Sequence, residues 1–192
     1  MKSHELLRWV FSRHKPTIVT SSFGTHSAVL LHMISRINPQ ANIVWVDTQY
    51  NTSQTLKFKA RISELLDLKV SSYIGKTWDS PIPLVNTPEH DAFVEQIKLE
   101  PFRRAVLDFR PEFWITGLRK EQTEFRQGLR AISQTDGITK ICPLLDWTES
   151  QMIAYLEKYN LPDVSEYFDP TKIHNNQECG LHTNYFQIEE AT

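Results

Sequence analysis

Two rhythms alternate along the chain. Short apolar runs predict strands at 17–21 ("TIVTS"), 42–48 ("NIVWVDT"), 69–74 ("KVSSYI"), 113–117 ("FWITG") and 139–147 ("TKICPLLDW"), the last ending at a proline. Between them, apolar residues recur at helical spacing. Val29, Leu30, Met33, Ile34 and Ile37 predict a helix that Pro39 closes. "SQTLKFKARISELLDL" predicts a second, with Ser53 as N-cap. A helical region runs from about Glu89 to Phe109 with a break near Pro101. "TESQMIAYLEKYN" predicts another, with Thr148 as N-cap and Gln151 at capping-box spacing. The stretch 78–88 reads as a loop, and after Leu161 the pattern dissolves into an exposed, poorly packed tail. The order β-α-β-α-β predicts an α/β fold: a Rossmann-like, mostly parallel twisted sheet with helices on both faces. It divides the chain into an α/β domain at 1–160 and a tail at 161–192.

Composition changes this picture little. Of 192 residues, 40% are hydrophobic and 23% charged, which is ordinary for a globular chain able to build a core. The longest apolar runs are too short to span a bilayer, and "MKSHELLRWVFSRHK" does not read as a signal peptide. Two cysteines argue against a disulfide scaffold and for a reducing, cytoplasmic compartment. Net charge is −2, which argues against a nucleic-acid coat. The charge is uneven, however: residues 98–140 hold nine Lys/Arg against six Asp/Glu. Such a segment suits either a small-anion site or a solvated mixed-charge helix face.

The candidate chemistry sits at strand ends. "SSFGTHS" joins the first strand to the first helix. There the helix dipole and backbone N–H groups of Ser21, Ser22, Phe23, Gly24 and Thr25 could receive an anion, or the Ser and Gly could serve capping alone. Asp47 and Thr48 end the second strand, where ligands bind in open α/β sheets. Asp47 could equally cap the helix that follows. Arg119, Gln122 and Arg126 follow the "FWIT" strand, with Lys98 upstream and Lys140 opening the next strand. Some of these cations could instead pair with Glu100, Glu121 and Glu124.

The cysteines differ in setting. Cys142 lies in an apolar strand and reads as core. Cys179 lies in "ECGLH", a polar stretch, with Glu178 and His182 beside it. A thiol reacts as the thiolate, which basic neighbours favour. With no second cysteine nearby, any disulfide step needs a partner's thiol. Paired zinc-ligand spacing is absent, and no metal is expected.

Taken in order, these stretches resemble the sulfonucleotide reductases, specifically the phosphoadenosine phosphosulfate (PAPS) reductases. "SSFGTHSAV" resembles the family's modified phosphate loop, and "DTQY" with Gln54–Thr55 resembles its second strand end. "KLEPFRRAV", "GLRKEQTEFR" and "KICPLLDWTESQMIAYL" resemble three further blocks, and "ECGLH" resembles the stretch holding its catalytic cysteine. The resemblance implies an adenine nucleotide alpha hydrolase-like fold and assimilatory reduction of PAPS to sulfite and adenosine 3′,5′-bisphosphate. It implies a Cys179 nucleophile forming S-sulfocysteine, with Glu178 and His182 beside it. It also implies reduced thioredoxin or glutaredoxin as donor, and a homodimer. Phe93–Val94 stand where the iron–sulfur branch has a cysteine pair, so no bound cluster is implied. Two departures are visible: the stretch before "ECGLH" is short, and Asn175, Asn176 and Gln177 replace its usual basic residues.

Two rival readings follow from the same fold. One is an ATP pyrophosphatase-type adenylating enzyme, whose loop usually reads Ser-Gly-Gly-x-Asp-Ser; here Phe23 and His26 replace the first Gly and the Asp. The other is a non-catalytic nucleotide-binding module.

Overall fold

The computed structural model describes residues 2–172. Six strands form one sheet in the order β3-β2-β1-β4-β6-β5. They are β1 (Thr17–Thr20), β2 (Asn42–Asp47), β3 (Val70–Ile74), β4 (Phe113–Thr116), β5 (Ile132–Thr135) and β6 (Ile138–Ile141). All neighbours run parallel except the β5–β6 pair. The helices are α1 (Ser3–Phe11), α2 (Ser27–Ile37), α3 (Ser53–Leu65), α4 (Pro88–Val94), α5 (Glu100–Phe109), α6 (Glu124–Gln127) and α7 (Glu149–Lys158). The mostly parallel α/β architecture expected from the sequence is the one observed.

The pleat explains why the central strands are apolar throughout. Successive side chains point to opposite faces, so neighbours join different cores. Val19, Ile43, Trp45, Phe113 and Ile115 enter one core with α1, α2 and α7 residues such as Leu7, Leu31 and Met152. Ile18, Val44 and Trp114 enter the other with Phe93, Phe102 and Val106 of α4 and α5. Both faces are covered, as a parallel sheet requires. At the edge, β3 alternates partly buried and exposed residues.

Several local details differ from the sequence reading. Ser53 is the first helical residue; the cap is Thr52, whose hydroxyl accepts the Thr55 N–H at 3.1 Å. The expected break near Pro101 is a π-helical stretch, Glu95–Leu99, running straight into α5 with Pro101 in its first turn. Proline removes one N–H from this continuous helix, and in the turn before it the Gln96 carbonyl accepts the Lys76 N–H at 3.3 Å instead. The π stretch also lies hard against Gly75: a Cβ there would clash with the Ile97 backbone. At α7, Thr148 and Gln151 form the expected reciprocal cap. Helix α1 and strand β5 are additional elements. Ser3 joins α1 to the body by donating to the Pro143 carbonyl at 2.6 Å and accepting the Trp147 indole N–H at 2.8 Å.

The exposed, poorly packed stretch expected after Leu161 is exposed at Asp163 and at residues 165–168, but it is anchored to the body at several points as far as Lys172. Val164, Asp169 and Thr171 are buried, and Lys172 donates its N–H to the Asp169 carbonyl. The reason is long-range: Asp169 meets Lys98 and Asp163 meets His26 on the body. Cys179, Glu178 and His182 lie outside the described residues.

Candidate active site

A cavity of about 350 Å³ opens at the carboxyl ends of the parallel strands. Its floor comes from Thr20 of β1, Val44–Val46 of β2, and Thr116 and Gly117 after β4. Strand order reverses between β1 and β4, so the connecting loops part there and leave a crevice. The volume lies at the small end of the usual range for ligand sites.

Nine of the residues expected to bind substrate line this cavity: Ser21, Ser22, Gly24, Thr25, Thr48, Lys98, Arg119, Gln122 and Arg126. Three do not. The Phe23 ring is fully buried in the core, edge-on to Trp45 at 6.2 Å; its backbone has φ +51°, which turns the loop. Asp47 closes its own turn, its Oδ1 accepting the Gln49 N–H at 2.9 Å and the Asn51 amide at 2.8 Å. Lys140 is buried with its ammonium over the Trp114 ring, 4.8 Å from the centroid.

Three cations on the cavity wall are each less than a tenth exposed: Lys98 at 9%, Arg119 at 6% and Arg126 at 4%. Burying charge this deeply is costly unless it is compensated. Lys98 Nζ donates to Asp169 Oδ2 at 2.6 Å and to Thr171 Oγ1 at 3.1 Å. Burial alone would raise the Asp169 pKa. The Lys98 charge and the hydrogen bonds from Lys98 and Thr171 outweigh it and hold the carboxyl below its ordinary range. Arg119 Nη2 donates to Glu149 Oε2 at 2.6 Å, while Nη1 lies 3.5 Å from Glu121 Oε2. That Nη1 is buried with no hydrogen-bond acceptor among the described residues. Gln122 Oε1 accepts both the Arg119 N–H at 3.1 Å and the Arg126 Nη1. The wall thus holds guanidinium groups already aligned by protein partners, with Arg119 Nη1 making no hydrogen bond to the described residues.

His26 is the residue that the sequence pattern undervalues. It precedes α2 with φ +62°, and its N–H donates to Asp163 Oδ1 at 2.7 Å. Its Nδ1 lies 2.7 Å from Asp163 Oδ2 and its Nε2 2.6 Å from Glu149 Oε1. Each ring nitrogen of His26 therefore faces a carboxylate oxygen at hydrogen-bond distance. The His26 hydrogen bond is the largest influence lowering the Glu149 pKa; burial opposes it, and Arg119 adds to it. His26 therefore ties the first turn, the start of α7 and the 161–172 segment to Arg119. The visible signal was its place in the loop, where pyrophosphatases carry Asp; its partners lie 123 and 137 residues away.

Cys142 packs with Leu118 and Leu145 and is 2% exposed. Burial pushes its thiol up to about 11, against the pull of Lys140 and Arg126. It is thus held as an inert thiol at neutral pH. Cys142→Ala is expected to leave anion binding in the cavity within about twofold and to cost about 1 kcal/mol of stability through the lost sulfur volume. Phosphate titration and thermal unfolding of the variant check this.

Residues 16–169 match the sequence model of the phosphoadenosine phosphosulfate reductase domain. The chain belongs to this family. A phosphoadenosine 5′-phosphosulfate reductase of Synechocystis is 27% identical over 217 residues, covering 94% of this chain and 85% of the relative. One from Xylella fastidiosa is 31% identical over 156 residues, covering 75% of this chain and 64% of the relative. Among solved structures, the PAPS reductase of Candida auris in a phosphate complex superposes with a TM-score of 0.72 at 25% identity, covering 85% of this chain and 82% of that one. The NH3-dependent NAD synthetase of Campylobacter jejuni, 15% identical with a TM-score of 0.58, shares the fold alone. The PAPS reductase domain match ends at Asp169, so it takes in His26, Lys98, Arg119, Asp163 and Asp169.

Proposed function

We propose that the chain reduces PAPS to sulfite and adenosine 3′,5′-bisphosphate through S-sulfocysteine on Cys179. The observation that carries this reading is the cavity in which the phosphate loop meets Lys98, Arg119 and Arg126 at the sheet's switch point. A sulfonucleotide presents a phosphosulfate and, with its 3′-phosphate, several negative charges, which suits buried guanidinium groups and a helix N-terminus. The cavity's last described wall residue, Lys172, precedes Cys179 by seven positions.

The steps balance as follows. The Cys179 thiolate attacks the sulfate sulfur; an S–S bond forms and the S–O bond to the phosphate breaks. Adenosine 3′,5′-bisphosphate leaves with that electron pair. A thiolate of reduced thioredoxin or glutaredoxin then attacks Cys179 Sγ and expels sulfite. The donor's second thiol resolves the mixed disulfide and regenerates Cys179, so two electrons pass from the dithiol to sulfur. The chain has two cysteines, one of them buried in the core, so the second thiol of the cycle comes from the partner.

Substrate choice tests this reading. Sulfite release is measured with PAPS and with the analogue lacking the 3′-phosphate, each with thioredoxin and with glutaredoxin. The expected outcome is release with at least one donor and a kcat/KM preference for PAPS of about tenfold or more, the size of one charge-assisted contact. No release from either nucleotide with either donor contradicts it.

A further inference from the structure

Residues 161–172 bear on how the reaction's two ends are brought together, and the inference rests on the proposed Cys179 chemistry. Asp163 and Asp169 fasten this segment to opposite parts of the cavity rim. Asp163 receives the His26 backbone N–H and faces its Nδ1, both at 2.7 Å. Asp169 takes the Lys98 ammonium at 2.6 Å on Oδ2, and on Oδ1 the Thr171 hydroxyl at 2.6 Å and N–H at 3.1 Å. Between these points the Glu166 carbonyl accepts from the Thr52 hydroxyl at 3.2 Å. The Tyr167 ring lies on Gly24 so closely that a Cβ there would come within 2.9 Å of its Cγ. Gly24 is therefore the seat of an aromatic ring from this segment, a use distinct from the close anion approach expected of it.

The segment is thus a strap across the site, pinned at one end by the Lys98–Asp169 ion pair and at the other by the contacts of Asp163 with His26. Chain connectivity gives that pinning a consequence. Ten residues separate Asp169 from Cys179, whereas eighteen separate Leu161 from it. A tether's effective concentration falls roughly as the −3/2 power of its length, so shortening alone contributes only about two- to threefold. Fixing where the tether starts and which way it points contributes more, because reacting groups must meet in a narrow geometry.

We propose that Asp163 and Asp169 are positioning residues for sulfur transfer. They anchor the strap on the anion cavity and so aim the Cys179 thiolate at the bound sulfonucleotide. Neither needs to touch the nucleotide, and Lys98 acts in part as the strap's anchor point.

The test separates rate from affinity in the full chain, using Asp163→Asn and Asp169→Asn. Single-turnover S-sulfonation of Cys179 is timed at saturating PAPS. The affinity for adenosine 3′,5′-bisphosphate is measured by titration. Trypsin cleavage after Lys172 reports release of the strap. Each variant is expected to slow S-sulfonation by about tenfold and to cleave faster after Lys172. Nucleotide affinity should stay unchanged or tighten in Asp169→Asn, since Lys98 keeps its charge. Affinity that weakens as much as the rate would overturn the proposal, because the carboxylates would then shape the nucleotide site itself. Unchanged S-sulfonation would overturn it as well. Asp163 is the more exposed of the pair, with a quarter of its side chain in solvent, so Asp163→Asn decides the matter if Asp169→Asn does not fold. A wild type that forms no adduct contradicts the reaction itself; a wild type that reacts no faster than its variants contradicts only the anchoring role.

Discussion

Cys179→Ser is expected to lower sulfite release by at least ~1000-fold, or about 4 kcal/mol of barrier, while nucleotide affinity stays within about threefold. The size of the loss follows from the reaction. A cysteine is a few per cent thiolate at neutral pH and highly nucleophilic; a serine hydroxyl has neither property without a dedicated base. An S–O adduct would also offer the donor dithiol no sulfur to attack, so turnover would stop at the second step even if the first occurred. Affinity should be spared because the cations and backbone donors that line the cavity lie on the body. Steady-state sulfite assays with titration of adenosine 3′,5′-bisphosphate make the comparison. Cys142, raised to about 11 by burial, cannot take over the role.

The second large effect is expected at Arg119. Its side chain is 7% exposed, Nη2 is committed to Glu149, and Nη1 is buried without an acceptor among the described residues. Its nearest carboxylate oxygen, on Glu121, is 3.5 Å away, so an incoming phosphate or sulfate oxygen can add a closer charge-assisted bond. Arg119→Ala should weaken adenosine 3′,5′-bisphosphate binding by about 10- to 100-fold, from about 1.5–3 kcal/mol for such a bond. The loss should shrink as salt rises, though less than for an exposed charge. The variant also strips Glu149 of one partner while leaving His26 in place. Thermal unfolding alongside the titration separates a damaged fold from a lost contact. Unchanged binding at all salt concentrations would remove Arg119 from the site.

Much of this was legible in one dimension because the signals were local. The apolar runs of β1, β2 and β4 announce strands buried on both faces, and the Thr148–Gln151 cap announces the start of α7. The strand-end positions of Ser21, Arg119 and Gln122 placed them at one rim of a parallel sheet. What stayed hidden depends on partners far apart in sequence. Asp47 looked as suited to capping α3 as to a ligand until Asn51 was seen to fold back on it and Thr52 to take the cap. Lys98 meets Asp169 across 71 residues, and His26 meets Asp163 across 137. No periodicity records such pairs, so a stretch rich in Pro, Asp and Asn read as an unpacked tail. Strand β5 escaped for a different reason: "ISQT" is a short, polar edge strand whose only pairing is antiparallel to β6. The missing positive charge before "ECGLH" also takes on another meaning. Lys98, Arg119 and Arg126, each buried, already supply charge to the cavity wall.

The most direct measurement is the mass of the protein after a single turnover with PAPS and no thiol donor. The account predicts an added mass of one SO3, located on Cys179 by peptide mapping, and its loss as sulfite when reduced thioredoxin or glutaredoxin is supplied. Sulfite release with no adduct on Cys179, or an adduct that survives both donors, would contradict it.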